Sequence, residues 1–400
     1  MSTPWLHIIG IGEDGLVGLS PKARALVEKA EVIIGGDRHH SLAGNTQAER
    51  IAWPSPFDAM IEVMRAQKGK RVVVLVTGDP LWYSVGARIL KSINFDEIEF
   101  HPQLSAFQWA SARMGWSLAD VETLTVHGRA TEQVVPWFYP GARLLVLTKD
   151  RSSLTDVASL LVARGYGGSR LTVLAALGGP DEQRIEMTAS HAHDGVPDFH
   201  TLAIECVPSE NAQLLPRTGL PDEAFVHDGK MTKRTVRALA LAKLVPLRGQ
   251  LLWDIGCGCG SIAVEWMRGA PEALAIGFEP KADRRAMATE NAKQLGTPKL
   301  QLVDGLAPAC LVGQPAPDAV FIGGGLEEAT IDVAMGALKP FGRLVAHAVT
   351  LESEAVLLAA FEKHGGELQR ISVETAAPVG PFHGWKPSMT VTQWFWEKWS

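Results

Sequence analysis

Asp254 ends a short apolar run, and Gly256, Gly258 and Gly260 follow it at alternate positions, interleaved with Cys257 and Cys259. A run of that length suits a buried strand. Glycines let the backbone turn tightly and approach a ligand, because no Cβ intervenes. The stretch from Ser261 to Met267 reads as a helix whose free N–H groups face the turn. This is the first ligand-binding corner of a doubly wound α/β sheet, where ligands sit at the carboxyl ends of the strands. A second acid, Glu279, ends the next apolar run and suits the two hydroxyls of a ribose. A third, Asp304, precedes Gly305 and Ala307 and falls where an adenine would lie. Two ligands compete for such a corner. A dinucleotide requires Gly-x-Gly-x-x-Gly so that its pyrophosphate rests on the helix N-terminus, and here Ser261 takes the place of the third glycine. An acid ahead of the glycines suits a ligand carrying an ammonium group; Glu279 fits either ligand.

The elements that hold these residues can be read along the chain. The run Leu6 to Ile9 predicts a strand, and Gly10, Gly12 and Gly15 behind it spell Gly-x-Gly-x-x-Gly. No helix opens there. Leu16 to Leu19 intervene, and the helix starts at Ser20-Pro21, too late to offer its N-terminus to a pyrophosphate. Strands are predicted at Glu31–Gly36 and Arg71–Val76, the second running into Gly78-Asp79-Pro80. Ser105 begins a helix, and Arg143 to Thr148 is a strand. Antiparallel strands with short turns close this half at about residue 207. Residues 209–221 are polar and proline-rich and predict an extended linker between a domain of residues 1–208 and one of residues 222–400. In the second half Thr232 is expected to cap a helix over Lys233–Leu244 with an apolar stripe of Val236, Leu239, Ala240, the Lys243 stem and Leu244. The remaining runs complete a seven-stranded open sheet that ends with Met389–Trp396. Gly323 lies in the turn after the fourth strand.

Composition narrows the classes. The net charge is −6, which supplies no electrostatic reason for nucleic acid or an anionic membrane. No apolar stretch reaches a membrane-spanning length. The four cysteines form no Cys-x-x-Cys pair, so a reducing cytoplasm is expected. Two thiols in one turn are too few for a metal. His39-His40 is read as one exposed and one hydrogen-bonded histidine, and no metal site is expected.

The turn from Asp254 to Gly260 resembles the first motif of class I S-adenosylmethionine-dependent methyltransferases. In the N-terminal half, Gly10 and Gly12, Gly78-Asp79-Pro80, Ser105 and Leu147-Thr148 are similar to the tetrapyrrole (corrin/porphyrin) methylase family over residues 4–207. Gly36-Asp37-Arg38-His39, Trp53-Pro54 and His127-Gly128-Arg129 resemble its branch late in cobalamin biosynthesis. Residues 220–397 resemble the small methyltransferase domain that methylates carbon 15 and decarboxylates a side chain in that pathway; Asp222 to Phe225, Met231-Thr232-Lys233, Glu279-Pro280 and Phe321 to Gly324 carry the likeness.

The resemblance implies an α/β chain with a two-lobed tetrapyrrole methylase fold followed by a seven-stranded Rossmann-like class I methyltransferase fold. It implies one S-adenosylmethionine site per domain. The first would use Gly10, Gly12, Gly78, Asp79, Pro80, Ser105 and Thr148. The second would use Thr232, Asp254, Gly256 to Gly260, Glu279, Asp304, Ala307 and Gly323. The implied activity is methylation of precorrin-6Y at carbons 5 and 15 with loss of the carbon 12 acetate carboxyl, in a homo-oligomer, a tetramer through the C-terminal domain. The macrocycle carries many carboxylates, so basic groups are expected at each mouth: Lys230, Lys233, Arg234, His347, His383 and Lys386. Asp79, Lys233, His347 and His383 are the candidate catalytic groups. Meso carbons of a reduced tetrapyrrole are nucleophilic, so alignment is the main task, and no Ser-His-Asp or Cys-His arrangement is needed. Two other readings stand beside this one: an NAD-dependent oxidoreductase, and a binding protein that keeps the folds without turnover.

Overall fold

The structure is a computed structural model and describes residues 4–399. It divides into two compact units. Among the described residues the first comprises 4–131 and 139–213, and the second 132–138 and 214–399.

The first unit holds two sheets. One is built from β1 (Leu6–Ile11), β2 (Val32–Gly35), β3 (Glu49–Ala52), β4 (Val72–Thr77) and β5 (Ile98–His101), all parallel, in the order β3-β2-β4-β1-β5. Both its faces are covered, which is why β4 reads as an unbroken apolar run. Leu6, Ile8, Val72 and Val74 pack on one side; Ile9, Ile11, Val73 and Leu75 pack on the other, with Ala23 and Val27 of the helix Pro21–Glu28. Ser20 caps that helix by accepting from Ala23 N–H at 3.2 Å. The other sheet contains β6 (Glu122–Thr125), β7 (Arg143–Leu147), β8 (Arg170–Ala175), β9 (Gln183–Thr188) and β10 (His200–Glu205), in the order β6-β7-β10-β8-β9. Its last three pairings are antiparallel.

The second unit is an open seven-stranded sheet. Its strands are β11 (Leu251–Ile255), β12 (Leu274–Phe278), β13 (Gln301–Val303), β14 (Ala319–Ile322), β15 (Arg343–Ala348), β16 (Glu367–Ile371) and, beyond the hairpin β17 (Glu374–Val379) and β18 (Phe382–Pro387), β19 (Val391–Glu397). The order is β13-β12-β11-β14-β15-β19-β16, with β19 antiparallel to both neighbours. Strand order reverses between β11 and β14, the switch point where open α/β sheets hold ligands. Trp253, Ile255, Val320 and Ile322 fill one face; Leu252, Ala319 and Phe321 face the helices Arg234–Leu244 and Ser261–Gly269 on the other. The hairpin was not anticipated from the pattern, because its strands lack an apolar alternation; they are mostly exposed.

Two local expectations change. Lys233, not Thr232, is the cap residue of the helix Arg234–Leu244, and Arg234 N–H is satisfied by Asp222 Oδ1 at 3.0 Å. In the same helix Leu239 is exposed while Arg237 is fully buried. Residues 208–221 contain no helix or strand, yet their backbone is held. Gln213 N–H donates to the Arg164 carbonyl, and the Leu215 and Pro216 carbonyls accept from Arg268.

Candidate functional site

In the second unit a cleft of about 840 Å³ opens at the carboxyl ends of β11, β12, β14 and β15. Its floor is the glycine turn. Gly256, Gly258 and Gly260 have φ of +69°, +55° and +79°, a region that L side chains rarely adopt. A Cβ on Gly256 would lie 2.6 Å from Gly324 Cα, so the turns after β11 and β14 pack backbone on backbone. A Cβ on Gly258 would meet only the Lys230 carbonyl, at 3.9 Å. Gly256, Cys257 and Gly258 line the cleft; Cys259 and Gly260 stand behind it.

Two buried acids sit under this turn. Asp254 Oδ2 accepts from Ala263 N–H at 3.0 Å, while its buried Oδ1 has no partner. Burial pushes its carboxyl up to about 7, helped by the neighbouring Glu279 charge and opposed by the Ala263 bond. Glu279 accepts from Gly258 N–H at 3.0 Å and from Lys281 N–H at 3.1 Å. A buried carboxylate oxygen without a donor, beneath a glycine cradle that faces open space, matches a ligand that brings a cation. Asp304 points elsewhere: its side chain is exposed, bonded to Arg285 Nη2 at 2.8 Å, and Gly305, Leu306 and Ala307 line the cleft in its place. Gly323 and Thr232 both line it.

Across the cleft His347 projects from β15. It is buried, bonded through Nε2 to Gln393 Oε1 at 2.9 Å, and set edge-on to Phe321 at 4.9 Å. Burial lowers its pKa to about 4, so it is neutral near pH 7. Lys230, Lys233 and Arg234 line the wall, as does Arg284, which the sequence reading passed over; His383 and Lys386 lie on the exposed hairpin strand β18 and do not line the cleft.

That wall is held by a network invisible to hydrophobic patterning. Arg237 and Glu265 are both fully buried and bonded at 2.6 Å. Arg237 also donates to the carbonyls of Leu220 and Thr232, at 2.5 and 2.6 Å, and to Asp222. Glu265 accepts the N–H groups of Gly219 and Leu220. Residues 219–232 are thereby pinned beside the glycine turn. Asn291, also fully buried, ties Val226 to the Cys259 carbonyl.

The first unit has its own cleft, of about 740 Å³. Gly10 packs directly against Gly78 of this cleft: a Cβ on Gly10 would fall 1.7 Å from the Gly78 carbonyl oxygen. Gly78 has φ of +63°. Gly12, Gly78, Ser105 and Thr148 line the cleft, while Gly10, Asp79 and Pro80 do not. Ser105 Oγ is buried without a partner. Asp79 Oδ1 accepts from Leu81 N–H at 2.7 Å and shapes the loop. That loop presents Leu81, Trp82 and Tyr83, all exposed, near Phe107. Arg38, Arg88 and Arg129 complete the lining, each over an aromatic ring, Phe199, Phe57 and Tyr83 respectively. The aromatic loop and Arg88 were missed because nothing in their local spacing marks a site. The pair His39-His40 is engaged on both sides: His39 bonds Gly36 N–H and Thr77 Oγ1, at 3.2 and 3.0 Å, and the buried His40 bonds the Ile51 carbonyl. Neither is the exposed histidine that was expected.

Residues 5–193 match the tetrapyrrole (corrin/porphyrin) methylases, and residues 223–398 match a precorrin methyltransferase domain. A Sinorhizobium protein named precorrin-6Y C(5,15)-methyltransferase [decarboxylating] is 46% identical over 99% of this chain and 97% of its own length. The chain belongs to that family. It is therefore a methyltransferase, and the oxidoreductase and binding-protein readings fall away. Two shorter relatives from Salmonella typhimurium carry the two halves of the family's name separately. One, named cobalt-precorrin-7 C(5)-methyltransferase, is 29% identical over 45% of this chain and 88% of its own. The other, named cobalt-precorrin-6B C(15)-methyltransferase (decarboxylating), is 33% identical over 43% of this chain and 92% of its own. Among the described residues no helix is long and apolar enough to cross a membrane.

Proposed function

We propose that the chain methylates precorrin-6Y at carbons 5 and 15 and removes the carboxyl of the carbon 12 acetate, with carbon 5 handled by the first unit and the other two steps by the second. The observation that carries this reading is the presence of two clefts of different construction, each with its own glycine cradle and its own unpartnered buried oxygen, Ser105 Oγ in one and Asp254 Oδ1 in the other. A single site performing both methylations would not need the second set. Relatives that each span under half of the chain and are named for one methylation apiece support the division.

S-adenosylmethionine, when bound, supplies an electrophilic methyl group to each cleft. In the second cleft Asp254, Gly256 to Gly258, Glu279 and Ala307 hold it; in the first, Gly12, Gly78, Ser105 and Thr148 do. The chain's own part is to orient and to exclude water. Lys230, Lys233 and Arg284 face the second cleft with positive charge, which suits a polycarboxylate. His347, held neutral, adds no cation beside a carboxylate that must lose carbon dioxide, and a desolvated carboxylate is the more reactive for it. In the first cleft, aromatic side chains and three arginines offer an apolar lining with positive charge, which suits a polycarboxylate macrocycle. The same proposal includes a cytoplasmic setting, supported by four unpaired cysteines, and a homo-oligomer, a tetramer, built through the second unit. The hairpin supports the latter by exposing Val379, Phe382 and Trp385; light scattering of Phe382→Ser and Trp385→Ser variants tests it by loss of mass.

Product mass spectrometry tests the division of labour. Gly258→Val puts a branched side chain into the second cleft, its Cβ 3.9 Å from the Lys230 carbonyl, at a φ of +55° that disfavours a β-branched residue, so carbon dioxide release and one methylation should stop while the first site still binds cofactor. Gly78→Val should yield a mono-methylated, decarboxylated product. Loss of decarboxylation in the Gly78 variant, with cofactor still bound in the second unit, would refute the assignment.

A further inference from the structure

We propose that His7, Glu99 and His101 form a binding site for one divalent transition-metal ion of the zinc class, separate from both clefts. His7 lies at the start of β1, and Glu99 and His101 lie on the edge strand β5. The parallel register sets His7 opposite Glu99 and Ile9 opposite His101, so the three side chains share one face of a rigid sheet. None of them lines the first unit's cleft.

The geometry fits an ion. His7 Nδ1 is 3.3 Å from Glu99 Oε2, and His101 Nε2 is 3.6 Å from the same oxygen. The three donor atoms lie within 4.8 Å of one another. Bonds of about 2.0–2.1 Å in a tetrahedral shell keep ligand atoms about 3.3–3.4 Å apart. His7 Nδ1 and His101 Nε2 are both buried, neither makes a well-aligned hydrogen bond, and each faces the Glu99 carboxylate. His40 and His200 also carry one such nitrogen, but among the described residues only here do two of them meet at a carboxylate. Two buried imidazole nitrogens converging on one carboxylate oxygen present three donor atoms at the spacing of a tetrahedral shell.

Charge agrees. Burial lowers the pKa of both histidines, which favours the neutral imidazole that binds metal. The Lys22 ammonium bonds Glu99 Oε1 and holds the carboxyl below its usual range, leaving Oε2 free to ligate. Two nitrogens and one carboxylate oxygen suit Zn²⁺ or Co²⁺ and not Mg²⁺ or Ca²⁺, which take oxygen shells. Glu99 is 32% exposed, giving the ion an entry path and a water for its fourth position. Set apart from the first unit's cleft, the ion would tie the edge strand β5 to β1.

The test uses the full-length chain freed of metal with a chelator. Calorimetry with ZnCl₂ should give one equivalent per chain bound tightly, with a higher melting temperature. CoCl₂ should give the intense visible bands of a four- or five-coordinate ion. His101→Ala and the isosteric Glu99→Gln should each weaken binding by more than the about 10–100-fold usual for an outer-shell change. Lys22→Met removes a competing cation and should leave binding intact or tighter. The melting temperature without metal shows that the variants fold. Absence of a stoichiometric equivalent, or zinc binding that survives both His101→Ala and Glu99→Gln, overturns the proposal.

Discussion

Cofactor binding in the second unit should depend on pH through Asp254, and Asp254→Asn should abolish that dependence. The carboxyl is buried, has one oxygen without a donor, and is raised to about 7. If it faces the ligand's ammonium, only its ionised form pairs. From pH 6 to pH 7 the ionised fraction then rises from roughly one in eleven to one half, and affinity rises about fivefold, or about 1 kcal/mol. Below pH 6 the slope approaches tenfold per unit. Above about pH 8 the ligand's own α-ammonium deprotonates, and affinity declines. His347 does not blur the profile, since it titrates near 4. Linkage gives a second readout. The folded carboxyl binds its proton more tightly than the unfolded one. Its contribution to stability is thus fully present below about pH 4 and lost as pH rises through about 7. Calorimetric titration with S-adenosylhomocysteine, in two buffers of different ionisation enthalpy, should detect about half a proton released at pH 7. The Asn variant should bind weakly with neither slope nor proton release. A flat profile in the wild type, or an unchanged slope in the variant, refutes the pairing.

Glu279→Ala should weaken cofactor binding at the second site roughly ten- to hundredfold, as expected when charged hydrogen bonds of about 1.5–3 kcal/mol are lost; calorimetry reads it, and unchanged affinity removes Glu279 from the site. Arg237→Met leaves Glu265 buried without its partner and should cost about 3–5 kcal/mol in denaturant unfolding. A loss below about 1 kcal/mol would mean that water or backbone donors replace the guanidinium. Fragments 1–213 and 214–400 should each melt cooperatively; failure of both by calorimetry would mean that the two units depend on each other to fold.

Much of the fold was legible because its signals are local. The cradle under the second cleft is a contiguous strand, glycine turn and helix, and Glu279 sits at the end of the very next strand. The seven-stranded sheet followed from apolar runs of strand length, and the helix start at Ser20-Pro21 from a cap that needs only its own neighbours. What failed was wherever a residue's role depends on distant chain. Asp304 ends its strand as expected, but Arg285, 19 residues earlier in sequence, draws its carboxylate away from the cleft. Arg237 breaks its helix's apolar stripe and is nevertheless buried, because Glu265 and the Leu220 carbonyl take up its charge.

Local sequence thus established the backbone devices: where glycine permits a positive φ, where a strand stops, which acids stand at strand ends. These depend on sterics within a few residues and survive translation into any packed context. The burial of charge was decided only by the tertiary structure. The Asp254 oxygen left without a donor, the neutral His347 beside Gln393, the pinning of residues 219–232, and the meeting of His7 with Glu99 and His101 all join atoms far apart in sequence. Removing a polar atom from water costs more than any local propensity supplies, so its partner decides its state, and that partner is chosen by the way the sheets align.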